Sequence, residues 1–74
     1  MTLKSEKFIA ARKASGLTIE QAAHAAAVKS PNTYIAHERS PELFRLGELV
    51  GVYKAMTEDG QRIMRDALDE IFLP

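Results

Sequence analysis

Two helix-start signals with room for only a turn between them limit what this chain can be. Residues Leu17 to Glu38 read LTIEQAAHAAAVKSPNTYIAHE. Thr18 has a hydroxyl that accepts from the backbone three residues on, and Gln21 at that position reaches back to the Thr18 amide, which together make a capping box. Behind the cap, Ala22, Ala23 and Ala26 fall on one helical face. Lys29 interrupts the apolar pattern. Ser30 and Pro31 then supply a second start, a hydroxyl cap followed by a proline at the first helical position, where no N–H is needed. This second helix is expected to end near Ser40, because Pro41 disfavours helical geometry in the residue before it. Helices this short are marginal alone, so the flanking segments have to supply a scaffold.

Those segments are also helical in pattern. A first helix is expected from about Ser5 to Ser15, capped by Ser5 or Thr2, with Phe8, Ala11, Arg12 and Ser15 on one face and Gly16 ending it in left-handed geometry. In the second short helix Tyr34 and His37 point the same way, leaving Asn32, Ile35, Ala36 and Arg39 for other faces. From Glu42 to Met56, Leu43, Leu46, Leu49, Val50 and Tyr53 recur at three and four, which predicts a fourth helix. Gly47 and Gly51 weaken it by about 1 kcal/mol each relative to alanine, a cost that close packing would explain. Thr57 caps a last helix carrying the wide apolar stripe Ile63, Met64, Ala67, Leu68, Ile71 and Phe72. No strand pattern, repeat or linker interrupts the series. The expected fold is all-α, with five helices in one domain over 1–74, a core of 4–56 and a closing helix over 57–74.

Length and composition narrow the function. A chain of 74 residues has room for one core, and 46% apolar with 27% charged residues is the balance of a folded protein. There is no cysteine, so neither disulfides nor thiolate metal sites enter. No apolar run approaches the ~20 residues that span a bilayer, and the first residues lack a signal-peptide core, so a cytoplasmic protein is expected. Formal net charge is zero but uneven: residues 1–45 carry seven basic and four acidic side chains, 57–74 two basic and five acidic. A nucleic-acid surface would therefore lie in the front part of the chain.

The segments ARKASGLTIEQAAHAAAV, SPNTY and HERS resemble the helix-turn-helix domain of the phage repressor and Cro-type (XRE-like) family. The likeness covers roughly residues 4 to 56 and is carried by Arg12 four before Gly16, by Gly16-Leu17-Thr18, and by Ala23, Thr33-Tyr34 and Glu38-Arg39. It implies a five-helix, repressor-like DNA-binding domain, often a dimer on a two-fold site, with the recognition helix at Pro31–Arg39 in the major groove. Val28 to Thr33 has one residue more than the family pattern, and Ala27 stands where a turn glycine is usual. The positions that read bases fall on Ser30, Pro31, Asn32 and Ala36. Ile19, where relatives often carry a polar residue near a phosphate, is apolar, as is Ile35.

The expected site follows from these matches. Ser30, Asn32 and Ala36 are the base-contact candidates, and Asn32 has the amide that can pair with adenine N6 and N7. Thr18, Lys29, Arg39, Ser40 and Arg45 are the phosphate candidates, helped by the first amides of the two central helices. Arg12 and Glu38 are expected to pair with each other, as arginine and glutamate commonly do at these two positions in the family. A carboxylate facing phosphates would oppose binding. His24 and His37 are too few for a metal site, and the Asp66, Asp69 and Glu70 group reads as a solvated face. No nucleophile and base pair emerges, so neither an enzyme nor a cofactor is expected. The resemblance implies a transcriptional regulator of prokaryotic or prophage type acting on double-stranded DNA. A homodimer would form through Met64, Leu68, Ile71 and Phe72. The competing expectation is a protein-interaction module using Ile19, Ile35 and Ala36.

Overall fold

The computed structural model describes residues 5–72, with side chains described for 5–69. Five helices follow one another: α1 Ser5–Ala14, α2 Ile19–Ala25, α3 Pro31–Arg39, α4 Leu46–Ala55 and α5 Glu58–Phe72, with a 3-10 turn at Pro41–Leu43 between α3 and α4. The fold is all-α, and no strand occurs among the described residues. Nor is any described helix long and apolar enough to cross a membrane.

The helix ends follow from local chemistry. Thr18 Oγ1 accepts from the Gln21 amide at 3.1 Å and Gln21 Oε1 accepts from the Thr18 amide at 3.0 Å, completing the box at the head of α2. Ser30 Oγ accepts from the Asn32 amide at 3.2 Å at the head of α3. α1 and α2 stop by the same device, a residue in the left-handed region followed by two reversed hydrogen bonds. After α1 that residue is Gly16, at φ +71°. There the Gly16 amide donates to Lys13 O and the Leu17 amide to Arg12 O. After α2 it is Ala27, at φ +61°, where the Ala27 amide donates to His24 O and the Val28 amide to Ala23 O.

α1 packs along α5, and the pair forms the base on which α2, α3 and α4 are assembled. Phe8, Ala11, Tyr34, Val52, Met64 and Ala67 are at most 2% exposed and form the centre of the core. Two glycines let backbones approach. A Cβ on Gly51 of α4 would run into the Ala25 carbonyl of α2, and one on Gly60 of α5 would run into Ser15 Oγ and the Ala11 carbonyl of α1. Around Gly47 there is open space, so the close packing expected of both α4 glycines holds at Gly51 alone.

Two sequence expectations are corrected. α4 begins at Leu46, not Glu42, because Pro41 starts a single tight turn and Phe44 is extended at φ −63°, ψ 136°. The helix restarts where Glu48 Oε1 accepts from the Arg45 amide at 3.0 Å. Its buried face is also rotated. Leu49 and Tyr53 pack partly against the core as expected and Val52 and the capping Met56 are buried, whereas Leu43, Leu46 and Val50 are 53%, 76% and 42% exposed. Close contact at Gly51 turns the Val52 edge of α4 inward and leaves the Leu46–Val50 edge outside. The second correction concerns α5. Met64, expected on a dimer face, is 1% exposed and belongs to the core of the single chain. Leu68 is half-buried beside that core, and the side chains of Ile71 and Phe72 lie outside the described residues.

Candidate nucleic-acid interface

Beneath α3 lies a buried polar cluster that fixes its orientation. Arg12 Nε donates to Glu38 Oε2 at 2.9 Å, Nη2 to Glu38 Oε1 at a longer 3.5 Å, and Nη1 to the Leu17 carbonyl at 3.1 Å. One guanidinium thus ties α1 both to α3 and to the segment leading into α2. The two side chains are 12% and 5% exposed, so the carboxylate is well removed from water and depends on its partners. Tyr34, one turn earlier on α3, is hydrogen-bonded to the same carboxylate, and its hydroxyl is pushed above the ordinary tyrosine range by burial first and by Glu38 second. No buried side-chain nitrogen or oxygen among the described residues lacks a partner.

A ring cluster supports the other side of the helix. Phe44 stacks on Phe8 at 5.6 Å between centroids and takes Tyr34 and His37 edge-on at 5.7 and 5.4 Å. His37 Nδ1 lies 3.1 Å from Glu48 Oε1, the oxygen that also caps α4. α3 is therefore gripped from α1, from the connection after it and from α4.

With Tyr34 and Glu38 turned inward, the opposite face of α3 is free. Asn32, Ala36 and Arg39 are exposed at i, i+4 and i+7, which puts them in one row, and Thr33 is exposed beside them. Lys29, just ahead of the helix, and Arg45, at the start of α4, are exposed as well. So are Glu20 and Glu42, which temper the positive charge. Ser30 is half-buried with its oxygen turned back to cap α3, so it stands as a helix cap rather than as a projecting reader. Thr18 is exposed but engaged in its own cap. Ser40 is half-buried at the end of α3, where its amide donates to the Ala36 carbonyl.

The sequence reading missed Phe44, Glu48 and Gly60, and it placed Ser15 on a helix face without its contact to Thr57. Glu48 had a signal, a carboxylate three residues after a helix start. Ser15 Oγ donates to the Ala11 carbonyl at 2.9 Å and accepts from the Thr57 amide at 3.2 Å, joining the end of α1 to the head of α5. That contact spans most of the chain and has no local trace. Comparison with known proteins found no family model that matches this chain, and no curated protein or solved structure that matches it at a significant level.

Proposed function

We propose that this protein is a DNA-binding transcriptional regulator of the prokaryotic or prophage type, acting in the cytoplasm as a homodimer, with α3 in the major groove. The observation that carries this reading is the outward row Asn32, Ala36 and Arg39 on a helix whose inner face is locked by Arg12, Glu38 and Phe44. A recognition helix needs a rigid mount and a free polar face. Asn32 is suited to adenine N6 and N7, and the Ala36 methyl to the C5-methyl of thymine. Lys29, Arg39 and Arg45 are the exposed basic residues among the phosphate candidates, and Thr18 is exposed beside its own cap.

The competing protein-interaction reading at this face loses support. It needs Ile19, Ile35 and Ala36 as an apolar patch, but Ile19 packs against the core and Ile35 is half-buried. None of the large exposed apolar side chains lies on α3.

A salt titration of binding to random-sequence duplex tests the proposal. Neutralising roughly 4 to 6 phosphates gives log K a slope of about −4 to −5 against log salt. Asn32→Ala relaxes discrimination at one base pair by ~1 to 3 kcal/mol, whereas Arg45→Ala weakens all sequences alike. Absence of binding to any duplex at low salt rejects the DNA reading.

A further inference from the structure

The rotation of α4 leaves an unexplained surface on the flank it shares with α5. Leu46, Val50 and Tyr53 line up along the outer edge of α4, Leu68 of α5 faces them, and the groove between the helices encloses about 340 Å³. Solvent-exposed leucine and valine in a row are unfavourable in a free monomer, and a groove of this volume lies within the ~300 to 1,000 Å³ range of small-molecule sites. Its wall is almost wholly apolar, and the charged residues bordering it have one sign. Lys54 and Arg65 are the charged residues of the lining, and neither has an acidic partner among the described residues. Arg65 Nη1 donates to the Tyr53 hydroxyl at 2.6 Å, which ties the guanidinium to the rim of the groove, with no further partner among the described residues. Gln61 Nε2 donates to the Tyr53 carbonyl at 3.0 Å and fixes the same turn of α4 against α5.

An apolar floor with a tethered guanidinium and an ammonium at its edge is complementary to one ligand chemistry, a hydrocarbon tail ending in a carboxylate. We propose that the α4–α5 groove binds a small amphipathic carboxylate, with the tail on Leu46, Val50 and Leu68 and the anion between Arg65 and Lys54. This inference stands apart from the DNA reading, since it uses neither α3 nor its flanks.

The test is a chemical-shift titration of the isotope-labelled full chain with octanoate, octanol and octylammonium below their aggregation concentrations. Octanoate should move the amides of Leu46, Val50, Tyr53 and Leu68 saturably. It should bind roughly three- to tenfold tighter than octanol, the factor expected of two solvent-exposed charge pairs, with octylammonium weakest. Lys54→Gln and Arg65→Gln together should bring octanoate down to the octanol affinity while leaving octanol unchanged. Lys54→Gln alone, which keeps the Tyr53–Arg65 bond, should remove part of the preference. Val50→Asp should abolish binding of octanoate and octanol. Equal affinity of the wild type for octanoate and octanol, or shifts centred elsewhere, would overturn the proposal. So would self-association that moves these same amides, since a second copy would then be the occupant.

Discussion

Ala27→Gly should stabilise this protein, and the size of the effect can be worked from its own geometry. Ala27 sits at φ +61° in the C-terminal cap of α2, where an L side chain costs roughly 1 to 2 kcal/mol because Cβ crowds the following carbonyl. Glycine removes that strain but also loosens the unfolded chain, which returns ~0.4 to 1 kcal/mol. The net gain is centred on ~0.8 kcal/mol, or roughly 3 to 6 °C in Tm for a domain of this size. Ala27 is exposed, so the missing methyl forfeits little packing. Gly16 supplies the reverse experiment at an equivalent cap. It sits at φ +71° with nothing within 4 Å of an added Cβ, so Gly16→Ala should lose a similar amount through conformation alone. Urea unfolding followed by far-UV circular dichroism reads both, with the midpoint moving and the m-value unchanged. An Ala27→Gly variant no more stable than the wild type would refute the reasoning.

Further outcomes follow from the core. Arg12→Ala or Glu38→Ala strands the remaining buried charge and should cost ~3 to 5 kcal/mol in denaturant unfolding. Gly51→Ala forces a methyl against the Ala25 carbonyl, and separating α2 from α4 should cost ~1 to 3 kcal/mol, whereas Gly47→Ala, with open space around it, should be neutral or stabilising. Tyr34 has its folded-state pKa raised by burial and by Glu38, so only the unfolded chain releases that proton near pH 10. Stability should be complete below about pH 10 and fall above it by at most about 1.4 kcal/mol per pH unit. Alkaline unfolding curves of Tyr34→Phe, lacking this slope, provide the check.

The parts of the fold that could be read from sequence are those written locally. Thr18 with Gln21, Ser30 with Pro31, and Gly16 each carry their chemistry within four residues, and each marks a helix end in the structure. Exposure of Asn32 and Arg39 followed from helical period once the inward side of α3 was set by Tyr34. Periodicity was half right on α4: Leu49 and Tyr53 of the expected row pack against the core, but Leu46 and Val50 stay outside and the Val52 edge is buried in their place. The choice between them is made by the approach of Gly51 to Ala25, a contact between distant residues. Phe44 stayed hidden for a related reason. It stands in a connection, where no period applies, yet it touches three rings from two helices.

The packing of α1 along α5 also governs how the chain reaches its native state. Ser15 meets Thr57, and the Phe8–Ala11 face is covered together with Met64 and Ala67. These partners are widely separated in sequence, so a long loop must close before the α5 side of α1 is covered, whereas its α3 side already meets Phe44 and Glu38. A ribosome-bound chain that has not yet exposed α5 holds the α5 side of α1 open to solvent or to other chains. The α2–α3 pair is synthesised early and takes its grip from α1, Phe44 and α4, while the last helix closes the far side of α1. Truncation within α5 should therefore unfold the whole domain rather than trim it.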